Sequence, residues 1–232
     1  RTLIGTTDTA VPTISLEPRP LDEEIDFILR TSAAYLTRVP QRSDILSVFA
    51  GLRPLVKAEP GTNSKDLSRE HTILVSESGL ITLTGGKWTT CRRMGEDVMD
   101  RAEAEHVWPN RPSRTPYLHL HGWSQDRLSD NWAVYGSDAA EIQKMPKADV
   151  RLHPDLPYVE AQVVWSVQHE QARTVEDVLA RRLRALLLDA RASMAAAPRV
   201  AQIMADELGR DTDWQADQVA QYRALAEGYL PS

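Results

Sequence analysis

The stretch LITLTGGKWTTCRRM, residues 80–94, decides the fold of the first half of this chain. An alternating apolar run, typical of a β-strand, meets Gly85 and Gly86, and a segment of helical character follows from Thr89. Glycines adopt positive φ and let backbone N–H groups approach a ligand closely. Lys87 adds a full positive charge where a helix would direct its free N–H groups. The pattern is typical either of a site for an anion or cofactor oxygen, or of an ordinary turn with a solvated lysine.

The spacing around these glycines excludes a phosphate-binding P-loop. That motif needs glycine at position 81 and Ser or Thr at position 88, where this chain has Ile81 and Trp88. Any anion would therefore be bound by a different arrangement of the same types of group.

The composition is that of a soluble globular protein. The 232 residues are 42% hydrophobic and 26% charged, and the net charge of -6 argues against non-specific nucleic-acid binding, so no nucleic-acid partner is predicted. A single cysteine, Cys91, excludes an internal disulfide framework, which fits a reducing compartment. The chain begins without Met and inside a strand-like pattern, which suggests a fragment.

The hydrophobic pattern predicts an α+β fold, in which a strand-containing first part precedes a mostly helical one. In the first part we expect strands at residues 2–7 and 45–55 and a hairpin at 72–84. We also expect a helix that begins at residue 22 with acidic residues, and a second helix from 89 to about 106. A proline-rich stretch without periodicity follows. The predicted domains are therefore residues 1–108, a linker at 109–116, and a helical domain at 117–232.

The helical part carries start and stop signals of its own. Thr174 with Asp177 resembles a capping box, and Gly209 is placed to end a helix. Pro198 suits a first helical position, and Asp213 suits the start of the last helix.

Two arginines in the first part stand where an anionic partner would explain them. Arg53 follows an apolar stretch directly and precedes a proline, so it needs water, a core carboxylate or an anionic ligand. Arg69 stands at the edge of the next strand, where a solvated charge is the ordinary interpretation. The planar fork of arginine suits two-point contact with phosphate or carboxylate.

Taken together, the motifs resemble the FAD-dependent glycerol-3-phosphate dehydrogenases. The resemblance rests, in this order and spacing, on GTTDT, SVFAGLRPLV, SREH and GLITLTGGKWTTCRRMGEDV in the first part of the chain. The segments VVWSVQHEQARTVEDVLARRLRALLLD and APRVAQIMADELG are similar to the helical C-terminal domain of that family.

The resemblance implies oxidation of glycerol 3-phosphate to dihydroxyacetone phosphate, with a hydride passed to FAD and electrons passed on to quinone. Arg53 and Arg69 match arginines that hold the substrate phosphate. Gly85, Gly86, Lys87 and Thr89 match the loop that contacts the flavin ring, and Lys87, which lies near both flavin and substrate, is the candidate catalytic residue. Positive charge there would stabilise the reduced flavin, so Lys87 need not act as a base.

One departure from the family pattern limits what this chain does alone. The glycine-rich dinucleotide fingerprint of the family's N-terminal half is absent from the sequence. We therefore expect a C-terminal portion that neither holds FAD tightly nor turns over without the missing N-terminal half of the same chain. The resemblance further implies a cytoplasmic location, with peripheral membrane association and a homodimer as family-level expectations.

Two other functions stay open at this point. One is the oxidase variant of the same chemistry, which returns electrons to oxygen. The other is a non-catalytic helical interaction module, which would have no need for Arg53, Arg69 and Lys87 to converge.

Three further residues are weaker candidates for a functional site. His119 and His121 would share one face of a strand, but two ligands without a third are a weak metal signal, and no metal site is predicted. Cys91 near a helix start suits either a reactive thiol or, more often, a packed small residue.

Overall fold

The structure is a computed structural model that describes residues 1–53, 70–105, 109, 111–126, 128 and 130–231. It confirms an α+β fold, with one two-stranded antiparallel sheet followed by helices. The α-helices are α1 Asp22–Ala33, α2 Cys91–Ala104, α3 Ala139–Ile142, α4 Glu160–Gln168, α5 Ala185–Leu188, α6 Ala190–Leu208 and α7 Thr212–Glu227, and the strands are β1 His71–Val75 and β2 Ile81–Gly85.

Contacts along the chain define two compact units. One comprises Arg1–Gly51 together with Gly122–Ser232, and the other comprises Leu52–His121. This grouping differs from the domains expected at residues 1–108 and 117–232, because the N-terminal segment contacts the helices of the second half. The predicted boundaries concern the functional domains of a longer enzyme, and they stay a prediction.

The predicted hairpin lies in the smaller unit. Strands β1 and β2 pair in antiparallel register from His71 with Gly85 to Val75 with Ile81. Gly79, at φ 83°, closes the connection, which is the conformation that a glycine adopts without steric cost. The helix expected after the hairpin is also confirmed, as a short 3₁₀ segment, Trp88–Thr90, that runs directly into α2.

The helix expected from residue 22 is confirmed as α1. Three acidic residues in its first turn suit the positive end of the helix dipole. The Glu24 carboxylate accepts a hydrogen bond from the Leu21 N–H at 3.1 Å, which satisfies one of the free donors of the first turn. Ile25 is the buried hydrophobic residue of this helix, so the helix packs through the face that carries it.

The strand predicted at residues 45–55 is wrong for its described part, residues 45–53, which have no regular secondary structure and pair with no strand among the described residues. Their backbone is satisfied by helix ends instead: Ala190 donates to the Leu46 carbonyl at 3.2 Å, and Val48 donates to the Tyr229 carbonyl at 2.9 Å. The Ser47 hydroxyl donates to the Leu186 carbonyl at 2.8 Å and accepts from the Ala190 N–H at 2.8 Å. The main-chain groups of this partly exposed segment thus find hydrogen-bond partners at the ends of helices.

The strand predicted at residues 2–7 is also wrong, because this segment has no strand partner among the described residues. Arg1 anchors its beginning through an ion pair with Asp189 at 3.3 Å. The N-terminal segment is thus attached by side chains to the helices of its own unit.

Helix α6 is the centre of the helical core. Its N-cap Asp189 accepts a hydrogen bond from the Ala192 N–H at 2.9 Å, and Gly209 ends it in the left-handed conformation, as predicted. Its buried face consists largely of alanines, and these let α4 and α7 approach closely. The residues buried along it are Ala190, Ala192, Ser193, Ala196, Ala197, Val200, Ala201, Ile203, Met204 and Ala205.

Pro198 stands inside α6, so the prediction that it opens a helix is wrong. A proline in a helix interior removes one backbone hydrogen bond and costs about 3 kcal/mol. The helix nevertheless begins at Ala190, because the aspartate cap and the packing of the alanine-rich turns outweigh the local preference of proline.

The capping box at Thr174 is confirmed in its hydrogen bonds. The Thr174 hydroxyl accepts from the Asp177 N–H at 3.1 Å, and the Asp177 carboxylate accepts from the Thr174 N–H at 3.0 Å. The segment that follows is a π-helix, Asp177–Arg182, and Arg184 then turns left-handed at φ 58° before α5. Leu179 and Leu186 of these two helical segments are fully buried.

A buried carboxylate links α4 to α6. Glu160 is 7% exposed and receives two hydrogen bonds of 2.7 Å from the Arg199 guanidinium, while the Lys147 ammonium lies 3.2 Å away. The hydrogen bonds from Arg199 hold the pKa of Glu160 below its ordinary value of 4.5, against the opposing effect of burial. The bidentate geometry makes this the type of ion pair that contributes to stability.

Arg199→Ala is expected to lower the free energy of unfolding by about 3 kcal/mol at pH 7, because it leaves Glu160 buried with Lys147 alone. The pKa of Glu160 is lower in the folded state than in the unfolded state, so the ion pair stabilises the fold above pH 4.5. That stabilisation is lost as the pH falls through the folded-state pKa. Urea unfolding followed by circular dichroism, repeated across this pH range, measures both effects.

Arg181→Ala is the matched control. Arg181 also pairs with two carboxylates, those of Glu176 and Asp177, but its side chain is half exposed, so its removal should cost no more than about 1 kcal/mol. Equal losses in the two variants, or a loss in Arg199→Ala that persists unchanged at pH 3 to 4 (roughly the range over which carboxylates protonate), would contradict the assignment.

Candidate active site

The two glycines that open the candidate site are both left-handed. Gly85 has φ 77° and Gly86 has φ 80°, which confirms the prediction that these positions need residues without Cβ. They join the end of β2 to the helical segment that starts at Trp88. The sequence therefore uses glycine here because the backbone requires it.

Gly86 also has close neighbours on two elements. A Cβ at this position would lie 2.5 Å from the Met94 Sδ and 3.2 Å from the His71 Cβ. The turn is thus pressed against the first residue of β1 and the first turn of α2. This contact fixes the position of the glycine loop relative to β1 and α2.

Lys87 follows at the surface, as the N-cap of the short helix before α2. Its backbone is extended, at φ -132° and ψ 151°, and its N–H and carbonyl both bond the Thr90 hydroxyl, at 3.3 and 3.0 Å. These bonds hold the main chain at Lys87 while the side chain is exposed. A positive charge therefore stands at the start of a helical segment, where the backbone N–H groups also favour an anion.

Two more exposed residues surround this start. Trp88 is 89% exposed, and Thr89 is exposed beside it. In the first turn of a helix the N–H groups of such residues have no acceptor within the helix. The exposed apolar ring, the hydroxyl, the lysine and the N–H groups form a set that suits a planar, electron-rich cofactor ring, so the residues present fit a flavin.

The arginines of the predicted substrate site are only partly described. Arg53 belongs to the same compact unit as Lys87 and is exposed, in a segment without regular secondary structure. Arg69 lies outside the described residues. The convergence of Arg53, Arg69 and Lys87 on one phosphate therefore stays a prediction.

A cluster of polar side chains that the sequence pattern does not predict lies close to the two glycines. The His71 Nε2 is 3.0 Å from the Asp97 Oδ2, and the Arg93 Nε is 2.9 Å from the other oxygen of the same carboxylate. His71 stands in the SREH motif, but its partner is a helix residue far along the chain. Only the pairing of the hairpin with α2 brings the two together.

The weaker candidates do not assemble into a site. His119 lies in a segment without regular structure and His121 in a turn, so the expected shared strand face is wrong. Cys91 begins α2 and is exposed, which excludes the interpretation as a packed core residue. Among the residues that the structure describes, no group of three or more His, Cys, Asp or Glu side chains could hold a metal ion.

The sequence was compared with protein families and with curated proteins. The model of one family, described as the C-terminal domain of alpha-glycerophosphate oxidase, matches residues 77–216, which is more than half of the chain and includes the glycine turn. The chain belongs to this family. The match runs from the hairpin connection into α7, so it covers both the candidate site and the helical core.

Relatives of this family member agree with the match. The mitochondrial glycerol-3-phosphate dehydrogenase of Bos taurus is 37% identical over 256 aligned positions, which cover 99% of this chain and 34% of the bovine protein. The Homo sapiens protein of the same name is 37% identical over 92% of this chain and 32% of its own length. The corresponding Arabidopsis thaliana protein is 30% identical over the whole chain and 42% of its own length. The chain thus spans about a third of the length of the animal relatives that it matches.

Gly86→Ala tests the packing of the turn in this family member. The variant must adopt φ 80° with a Cβ and also displace Met94 and His71, so we expect the free energy of unfolding of the hairpin unit to fall by about 2 to 4 kcal/mol. Hydrogen exchange of the peptides that cover residues 70–90, followed by mass spectrometry, reports this loss locally.

Gly79→Ala provides the matched control, because Gly79 has φ 83° but no atom lies within 4 Å of the position that a Cβ would take there. Gly79→Ala should lower the free energy of unfolding only by the cost of a side chain at positive φ, about 1 kcal/mol. Equal effects of the two substitutions would show that the packing of Gly86 against His71 and Met94 does not hold the turn.

Proposed function

We propose that this chain supplies the flavin-facing part of an FAD-dependent glycerol-3-phosphate dehydrogenase. The observation that carries the proposal is the exposed Lys87, held at a helix start directly after two left-handed glycines. Membership of the family and the names of the relatives support the same chemistry. The rest of the catalytic machinery belongs to the part of such an enzyme that this chain does not span.

In the proposed site the glycine turn and the helix start receive the ring of FAD. FAD, when bound, accepts the hydride released from the carbon that bears the oxidised hydroxyl of glycerol 3-phosphate. Gly85 and Gly86 let the main chain approach the ring closely, and Thr89 offers an N–H and a hydroxyl at its edge. The Lys87 ammonium stabilises negative charge that develops beside it during the reaction.

The substrate phosphate is assigned to arginine. A guanidinium presents two parallel N–H donors to phosphate oxygens, so Arg53 and Arg69 together would bind the dianion and orient the reacting end toward Lys87. The charge of Lys87 contributes to the same attraction. Binding of this type supplies orientation as well as affinity.

Lys87→Met in the full-length enzyme is the direct test. We expect kcat/KM for glycerol 3-phosphate to fall by about 100-fold, because a preorganised charge at the reacting centre is lost. Lys144→Met is the control, since Lys144 is another exposed lysine near the end of a short helix, in the other compact unit. Full activity of Lys87→Met, measured by dye reduction with flavin content checked by absorbance, would exclude the assignment.

A second candidate function is an oxidase, which the description of the matching family favours. The electron acceptor separates the two: the dehydrogenase reduces a soluble quinone analogue at the rate of substrate oxidation, whereas the oxidase consumes oxygen and produces hydrogen peroxide. Quinone as the natural acceptor and a homodimeric state extend the first proposal and rest on the family resemblance.

The location of the enzyme is part of the proposal too. No helix in the described ranges has both the length and the apolar character of a membrane span. The relatives are named as mitochondrial, and the cytoplasmic location expected from the sequence stays a proposal, as does a peripheral position on the membrane.

The isolated 232-residue chain should purify without flavin and without activity, because the dinucleotide-binding half is needed to hold FAD. Absorbance spectra of the purified chain, before and after addition of FAD, test this. The full-length enzyme is the positive control. A stoichiometric yellow flavin on the chain alone, or dye reduction with glycerol 3-phosphate, would overturn the division of the site between the two parts.

A further inference from the structure

His71 connects three parts of the candidate site at once. Its backbone pairs with Gly85 across the hairpin, its Cβ lies against Gly86, and its imidazole reaches Asp97 on α2 at 3.0 Å. His71 therefore contacts the end of β2, the glycine loop and the helix. Lys87 follows this junction directly in the sequence.

The carboxylate that receives the imidazole is itself held in place. Asp97 uses Oδ2 for His71 and Oδ1 for the Arg93 Nε at 2.9 Å, so both oxygens are engaged. The Arg93 guanidinium also lies 3.4 Å from the Glu96 carboxylate, so one positive charge contacts two carboxylates of α2. A carboxylate fixed from the helix side gives the imidazole a defined orientation.

The position of the pair makes it more than a surface contact. The side chains of His71 and Asp97 are 21% and 24% exposed, so water screens their interaction less than it screens an exposed ion pair. The pair bridges β1 and α2, and these two elements flank the turn on both sides. If it breaks, Asp97 keeps Arg93, but the hairpin loses this connection to the helix.

We infer that His71 is a positioning residue for Lys87. Through Asp97 it holds the Gly85–Gly86 turn against α2 and so sets where the Lys87 ammonium lies in the assembled site. The inference rests on the proposed function of Lys87, and its structural half, the hold on the turn, can be tested separately.

The experiment uses the full-length enzyme and a double-mutant cycle. His71→Ala should lower kcat/KM for glycerol 3-phosphate by about tenfold, since a misplaced catalytic group loses this much or more. In the Lys87→Met background the same substitution should cost less than about twofold, because the two residues act as one unit. A residue with a merely structural role would reduce activity by the same factor in both backgrounds.

Two substitutions at the same position separate the polar contact with Asp97 from the shape of the side chain. His71→Gln places an amide N–H near the position of the imidazole Nε2 and should stay within about threefold of the wild-type kcat/KM. His71→Asn has a shorter side chain that does not reach Asp97, and it should behave like His71→Ala. This comparison decides the question if His71→Ala fails to fold.

Hydrogen exchange of the peptide that covers residues 85–90 tests the hold on the turn without any activity. Exchange should be faster in His71→Ala than in the wild type and unchanged in Glu105→Ala, which removes the Arg101–Glu105 ion pair from the far end of the same helix. Unchanged exchange in His71→Ala, or equal losses of activity with and without Lys87, would overturn the inference. Full activity of Lys87→Met would exclude the proposed function and, with it, the coupling of His71 to Lys87. The exchange result would still decide whether His71 holds the turn.

Discussion

The left-handed conformation of two consecutive glycines is the constraint on which the hairpin unit depends. Gly85 and Gly86 both have positive φ, and at Gly86 a side chain would also collide with Met94 and His71. These two residues carry the chain from the end of β2 to the helical segment at Trp88, next to Met94 of α2 and His71 of β1. The exposed Lys87 follows them directly, at the start of that segment. A local steric condition thus places the charge that the proposed function uses.

In the larger unit the corresponding constraint is the close approach of helices to α6. The alanine-rich turns of α6 let α4 and α7 pack against it. This packing outweighs the cost of Pro198 in the interior of the helix. The same packing buries Glu160, whose charge is compensated by Arg199 on α6 itself. The extended residues near Ser47 complete this unit by bonding to the ends of the helices. Tertiary packing outweighs local preference at each of these places.

Signals with a strong local cause predicted the structure well. The hairpin, α1, the helix after the glycine turn, the Thr174 capping box and the Gly209 stop all depend on neighbouring residues, and all are present. Predictions failed where a segment takes its partners from far along the chain. Residues 45–53 have the apolar character of a strand, but their backbone partners are Ala190 and Tyr229, so no sheet forms. A short apolar run does not by itself specify the partners of its backbone, because strand propensity depends on the neighbours that tertiary packing supplies.

The sequence by itself determined the α+β fold class, the family and the left-handed conformation of Gly85 and Gly86, because φ preferences, capping and motif spacing act over a few residues. Only the tertiary structure decided that His71 reaches Asp97, that Gly86 is closed in by Met94, and that the N-terminal segment joins the helical unit. Those contacts join residues far apart in the chain. Their geometry follows from how whole elements pack, and packing depends on shape complementarity that no short stretch of sequence contains.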